Sequence, residues 1–388
     1  MRQIYEQLLY LKQLILKYNS LYLLTLKCQL MYSFTFLFSF IVIIMTLGIL
    51  TIISFRRFII TFRIFGKPKR RDFQKQPIPN SIGVAFLFLF IFCGIVLESF
   101  LEKTEIIGIF VGSVIICLTG FWDDLKIMSP YRKIFYQLLA VSFVVLHNDL
   151  VIHNLHGFLG IEFLNFFIGI PFTIFIGVFM INAFNLIDGI DGLAGMIAIV
   201  SFAAFAIIFW LVDSKGYFGI CFLMIGIILS YLPFNFSKKR KVFMGDSGSM
   251  FIGYILFVMS MLIVNSTAPI LDNLQFDRAI IPIAPLTIFI IPIIDTASIY
   301  LYRLSVGRSP FSADKYHIHH LILLFTKSHL VSSLVISCLL MLTLFLFSLL
   351  VYNTSTVFFI SLYFVLVFTM ILLTNIIRIV YKKRLNKI

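Results

Sequence analysis

The sequence predicts an all-α, polytopic membrane protein of about 11 transmembrane helices, and three observations predict it. The chain of 388 residues is 61% hydrophobic and only 12% charged, whereas soluble domains are about half apolar with roughly a quarter of their residues charged. Its mean hydropathy is +1.05. Its apolar residues come in long unbroken runs near the roughly 20 residues a spanning helix needs, not in the alternating, roughly ten-residue segments of a membrane barrel. A water-soluble globule and a large soluble domain are both excluded.

In chain order the runs fall at 33–55, 82–100, 105–121, 132–148, 163–184, 193–212, 217–235, 248–267, 279–301, 330–351 and 356–377. Lys and Arg cluster between them. With 56–81 placed in the cytoplasm, the connections on that face carry 24 basic residues, and those on the other face carry three, Lys103, Lys215 and Arg278. Short loops follow the positive-inside rule, so the C-terminus is expected in the cytoplasm and the start of the first span outside. The net charge of +14 is explained by these clusters, and no nucleic-acid partner is expected.

Residues 1–31, with Arg2, Lys12, Lys17 and Lys27 among Leu and Tyr, lack the layout of a signal peptide. They read as an interfacial helix or as sequence ahead of a start at Met31, and carry no functional weight. With no internal repeat and no low-complexity linker, residues 32–388 form one integral-membrane domain. Cys28, Cys93, Cys117, Cys221 and Cys338 show no Cys-x-x-Cys spacing, so neither a disulfide nor a structural zinc site is expected.

The acids are partitioned. Glu6, Glu98, Glu102, Glu105 and Glu162 lie in the amino-terminal segment or near the outer face, while the cytoplasmic connections hold seven acids, all Asp. Short carboxylates packed with Gly and Asn suit hard divalent cations and phosphate chemistry. Phe121-Trp122-Asp123-Asp124 ends one span, with Lys133 and Gln137 opening the next. Adjacent carboxylates repel each other and invite a cation or a raised-pKa base. Asn182 and Asn185 share a helical face, and Asp188-Gly189 and Asp191-Gly192 then break the helix. Two Asn and two Asp at a membrane edge are costly for a mere turn. Gly245-Asp246-Ser247-Gly248 opens a further span, where free amides favour an anion and Asp246 a bridging cation. Arg303, Arg308, Asp314, Lys315, His317, His319 and His320 follow the ninth run. They gather donors suited to a pyrophosphate or sugar nucleotide. His-x-His-His offers no separate fourth ligand or Cys partner, which argues against zinc. All four motifs fall on one face of a topology chosen from Lys and Arg alone.

In this order the motifs resemble those of the polyprenyl-phosphate N-acetylhexosamine-1-phosphate transferases, over about residues 56–330. The stretch from Gly307-Arg308-Ser309-Pro310 to His319-His320 is similar to the GlcNAc-1-phosphate branch rather than to the pentapeptide translocase. The resemblance implies transfer of a sugar-1-phosphate from a UDP-N-acetylhexosamine to undecaprenyl phosphate at the bacterial inner membrane, with release of UMP. It implies Mg²⁺, or alternatively Mn²⁺, on Asp246 with Asn185 helping, and Asp123 and Asp124 acting on the acceptor. Asp188 and Asp191 match positions near the nucleotide, Lys133 matches a phosphate-binding lysine, and Arg303, Arg308, His317, His319 and His320 match the sugar and pyrophosphate loop. In the first loop Pro68, Arg71, Pro79 and Gly83 follow the pattern, while Gly66, Asp72, Gln74 and Ile82 depart from it.

Phosphoryl transfer is catalysed chiefly by positioning and charge neutralisation. Direct attack by the lipid phosphate, with no covalent phospho-enzyme, is therefore expected. The rival readings are a transporter, resting on Asp295 inside the ninth run, and an intramembrane aspartyl protease, resting on Gly245-Asp246 together with Asp295. A homodimer is the self-association expected.

Overall fold

The computed structural model describes residues 38–62, 78–97, 103–266, 277–307, 317–353 and 355–385. Residues 1–31, Gly66, Asp72 and Gln74 of the first loop, and Arg308, Asp314 and Lys315 lie outside them. Among the described residues there are 13 α-helices: α1 Phe38–Thr61, α2 Gly83–Leu97, α3 Lys103–Leu125, α4 Pro130–His147, α5 Phe166–Ile187, α6 Leu193–Leu211, α7 Lys215–Asn235, α8 Gly245–Val264, α9 Ile283–Ile288, α10 Ile290–Ser305, α11 Ile318–Thr326, α12 His329–Asn353 and α13 Thr356–Leu385. One isolated antiparallel bridge, Asn154 with Phe163, is the described β contact.

Eight of these helices are long and apolar enough to span a bilayer, or nine when the segment running from Arg278 through α9 and α10 is taken as one bent span. Among the described residues the count of 11 is not confirmed. α2 has 15 residues, short of the roughly 20 a span needs. α4 opens with Pro130, Arg132 and Lys133 and carries Gln137, so its first turns are polar. The ninth run breaks at Phe289, with a bend of 72°. Pro292 is the physical reason: it has no N–H to donate to the Ile288 carbonyl and its ring crowds that oxygen. The short helix α11 begins inside the histidine motif, with His317 before its first turn and His319 and His320 within it.

α8 is the axis of the bundle, with 94% of its most apolar 18-residue window buried by the protein itself. α2, α3 and α5 pack around it, α6 and α7 pair beside them, and α12 lies along α6. Close approach is possible because α3 presents Gly120 to the first turn of α8. A Cβ at Gly120 would stand 2.4 Å from the Ser247 nitrogen. The end of α3 is thereby set against the start of α8. The loops 126–129, 188–192 and 236–244 and the start of α11 gather at this end of the bundle. His156 and Val264, joined by a 2.9 Å hydrogen bond, mark the other end.

Candidate active site

Four helices meet where α3 ends and α8 begins. Gly245 turns the chain into α8 with φ of +74°, a backbone state that L side chains resist. A Cβ there would lie 2.3 Å from Asp124 Oδ2. Glycine therefore serves both the turn and the carboxylate beside it.

The paired aspartates of α3 do different work. Asp124 is 4% exposed and accepts hydrogen bonds from the Asp246 and Ser247 amides at 2.8 and 3.2 Å, the Ser247 hydroxyl at 3.0 Å and Asn80 Nδ2 at 3.1 Å. It caps α8 from a neighbouring helix, satisfying the orphan amides of the first turn and complementing the positive end of the helix dipole. Asp123 faces the charged cluster instead. Its Oδ1 accepts the Met128 amide at 2.7 Å, and its Oδ2 lies 3.1 Å from Lys133 Nζ.

Lys133 is the hub. Its ammonium stands 3.1 Å from Asp123 Oδ2, 3.1 Å from Asp246 Oδ2 and 3.5 Å from Asn185 Oδ1. Asn185 also donates to Asp246 Oδ1 at 3.2 Å and to Ser249 Oγ at 2.7 Å. One turn deeper, Gln137 of α4 and Asn182 of α5 exchange amide hydrogen bonds of 3.3 and 2.7 Å. That reciprocal pair sets the rotation of α4 on α5, and hence where Lys133 and Asn185 point. Two carboxylates and an amide oxygen around one ammonium form a hard-oxygen set of the kind that Mg²⁺ or Mn²⁺ takes. Asp246 and Asn185 therefore fit the metal role expected of them.

The next loop is held by different partners. Asp188 closes α5. Asp191 Oδ2 accepts Lys241 Nζ at 2.6 Å, its amide donates to His329 Nδ1 at 3.1 Å, and its carbonyl accepts the Ser333 hydroxyl at 2.8 Å. His329 Nδ1 also lies 3.3 Å from Asp191 Oδ2. Asn235, 3% exposed at the end of α7, accepts the Gly192 amide at 2.6 Å and donates to the Val242 carbonyl at 2.9 Å. It ties the Asp188–Gly192 loop to the segment leading into α8. The Tyr231 hydroxyl accepts the Met244 amide at 3.2 Å.

The basic and imidazole motif, expected to gather donors for a pyrophosphate or sugar nucleotide, is largely buried where it is described. Arg303 is buried, its guanidinium 5.9 Å from the Tyr300 ring centre. His317 and His319 are buried against Asp295 of α10, and His320 packs on His319 at a ring separation of 4.3 Å. Burial pushes the His319 imidazole below the usual histidine range. Asp295, His317 and His319 also offer ligand atoms all within 4.8 Å of one another.

Sequence reasoning thus placed Asp123, Lys133, Asn185 and Asp246 together and missed Asn80, Tyr231, Asn235, Lys241, His329 and Arg378. Asn235 alone carried a signal, as an amide in the Pro233-Phe234-Asn235 end of an apolar run.

Residues 106–264, which include the aspartate pair, Lys133, the Asn182–Gly192 motif and the start of α8, match the family described as Glycosyl transferase family 4. The chain is 31% identical over 280 residues to the undecaprenyl-phosphate alpha-N-acetylglucosaminyl 1-phosphate transferase of Salmonella typhimurium, covering 69% of this chain and 71% of the relative. It is 29% identical over 304 residues to a Bacillus subtilis protein named "Probable undecaprenyl-phosphate N-acetylglucosaminyl 1-phosphate transferase", covering 77% and 80% of the two chains. It is 28% identical over 300 residues to the decaprenyl-phosphate N-acetylglucosaminephosphotransferase of Mycolicibacterium smegmatis, covering 71% and 73%. With its multi-pass helical bundle and a carboxylate, amide and lysine cluster inside the matched segment, the chain belongs to glycosyl transferase family 4, among relatives named for moving N-acetylglucosamine 1-phosphate onto a polyprenyl phosphate.

Proposed function

We propose that this protein transfers GlcNAc-1-phosphate from UDP-GlcNAc to undecaprenyl phosphate at the cytoplasmic face of a bacterial inner membrane, beginning a lipid-linked envelope glycan. The observation that carries the reading is the Lys133 ammonium of α4 shared by Asp123, Asp246 and Asn185 from three other helices. Charge neutralisation of this kind is what a reaction between two polyanions demands. Supporting the lipid acceptor and the donor sugar are the names of the relatives. The charge bias of the loops supports the cytoplasmic orientation.

In the reaction an oxygen of the lipid phosphate attacks the sugar-bearing phosphorus of the donor. The bond from that phosphorus to the bridging oxygen breaks, and UMP leaves with the oxygen. A phosphate monoester has a second pKa near 6, so the acceptor is largely dianionic at neutral pH and little base catalysis is required. Asp123 then serves mainly to orient the acceptor through Lys133, whose ammonium is free to turn from carboxylate to phosphate. Asp246, with Asn185 beside it, would hold Mg²⁺ or Mn²⁺, whose charge polarises the donor pyrophosphate when bound. Asp124 keeps the first turn of α8 in place, which fixes Asp246. The Asp188–Gly192 loop, pinned by Asn235, Lys241 and His329, is the wall we assign to the donor nucleotide.

The transporter reading needs Asp295 accessible along a path, and Asp295 is 2% exposed and bonded on both oxygens. The test is UMP release by detergent-purified protein given undecaprenyl phosphate, Mg²⁺ and a panel of UDP-N-acetylhexosamines. UMP formed only with both substrates, and fastest with UDP-GlcNAc, is the expected result. UMP release that does not depend on the lipid overturns the proposal.

A further inference from the structure

Outside the Lys133 cluster the bundle buries a second set of charged groups. Arg378 of α13 is fully buried, and Asp295, His317 and His319 are nearly so. Asp295 stands at the centre. Its Oδ1 accepts the Ile318 amide at 2.8 Å and faces Arg378 Nη2 at 3.4 Å, while its Oδ2 meets His317 Nδ1 at 2.9 Å and lies 3.7 Å from His319 Nδ1. Arg378 is itself steadied by Asn375 at 3.1 Å. One carboxylate therefore joins α10, the histidine motif, the first turn of α11 and α13.

Three ligand atoms this close could accept a metal, but the charges argue otherwise. Arg378 already balances Asp295, so a divalent ion would add two uncompensated charges to a site closed to water. As the sequence stands, the cluster is complete as a fastening. The Ile318 amide is one of the orphan donors at the start of α11, and a buried carboxylate is a strong partner for it.

What the fastening holds is His319. Among the described residues neither ring nitrogen makes a hydrogen bond, and Asp295 Oδ2 lies 3.7 Å from Nδ1. The position of the ring follows from the grip of Asp295 on the two preceding residues, His317 and Ile318. The ring is pressed onto the Asp188–Gly192 loop. A Cβ added at Gly189 would stand 2.0 Å from His319 Nε2. The loop is thus braced by Asn235, Lys241 and His329 elsewhere along its length and by the histidine motif here.

We propose that Asp295 is a positioning residue for donor binding. By seating His317 and the start of α11 it sets His319 against Gly189 and holds the loop that carries Asp188 in the shape that receives the sugar nucleotide. This rests on the assignment of that loop to the donor. Asp295 touches neither substrate, and the Lys133 cluster, where the acceptor phosphate and the reacting bond are placed, does not depend on it.

The test compares wild type with Asp295→Asn, which keeps the volume and an acceptor for Ile318 but removes the charge. Asp295→Asn with Arg378→Gln, which leaves no unpaired buried arginine, serves where the single variant folds poorly. In detergent-purified, monodisperse protein, KM for UDP-GlcNAc is expected to rise about tenfold in either variant, with KM for undecaprenyl phosphate and kcat per folded molecule within about twofold. A merely structural role lowers the amount of folded enzyme and leaves both KM values unchanged, and that result overturns the proposal. So does one equivalent of zinc in wild-type protein that is lost in Asp295→Asn, because the cluster is then a metal centre. Wild-type turnover tests the transferase reading, and the ratio of KM values tests this one, so the two fail separately.

Discussion

Replacing Lys133 with Met removes one ammonium, keeps most of the stem, and should strengthen metal binding while it abolishes catalysis. Lys133 Nζ stands 3.1 Å from a carboxylate oxygen of Asp123 and 3.1 Å from one of Asp246. Without the ammonium, two nearby carboxylates face each other uncompensated. Deleting one partner of a buried ion pair costs about 3–5 kcal/mol. The lysine side chain is 15% exposed and its partners 9% and 16%, so water screens part of this, and about 2 kcal/mol of repulsion is a fair share for an arriving cation to relieve. At 1.4 kcal/mol per tenfold, that is roughly a 30-fold gain in affinity. Mn²⁺ binding to purified protein, followed by loss of the free-ion EPR signal, reads it without relying on turnover. UMP release should fall about 100-fold or more, as when one preorganised electrostatic donor is removed. Unchanged or weaker Mn²⁺ binding in Lys133→Met would refute the argument, because it would mean that the ammonium and the metal do not compete for the same carboxylates.

Asp246→Asn should cut turnover at least about 100-fold even at saturating Mg²⁺, with the yield of folded protein unchanged; near-normal turnover removes Asp246 from the metal role. Asp124→Asn acts on the fold instead: an amide cannot accept from the Asp246 and Ser247 donors on both of its arms, so the first turn of α8 loses about 1–3 kcal/mol, seen as a lower thermal midpoint by scanning fluorimetry. Burial holds the His319 pKa below the ordinary value near 6.5. Neutral His319 therefore stabilises the fold fully above about pH 6.5, and that stability is lost as pH falls toward the lower folded value, because the unfolded chain takes up the proton first. His319→Gln should flatten the acid side of a thermal-midpoint profile, and an unaltered slope counts against this.

Much of this architecture was legible because a bilayer punishes polar residues. Asp123, Lys133, Asn185 and Asp246 stand out in apolar surroundings, and each adjoins the end of a long run, so helical geometry alone delivers them to one end of the bundle. The same logic fails where identical residue types differ by neighbours. Asp123 and Asp124 are adjacent and chemically alike. A helix turns them about 100° apart, so one meets Lys133 and the other the amides of α8, and that division exists only once α3 and α8 are packed. Run length likewise could not show that Pro292 bends the ninth run at Phe289, or that α4 opens on polar turns.

The histidine motif shows the limit most clearly. Read along the chain, Asp295 is an isolated acid in an apolar run, a pattern that argues for a functional group in the membrane, and His317, His319 and His320 form a donor cluster that argues for a phosphate. Neither inference sees the other. Asp295 meets His317 across 22 residues and Arg378 across 83, and after that meeting each feature explains its counterpart. The acid is neutralised by the arginine, the arginine is tolerated in the interior because of the acid, and His317 and the start of α11 are aimed by a carboxylate. A group that looks costly in one dimension is thus inexpensive in three, and chemistry assigned from sequence to such a group has to be checked against what already occupies its donors.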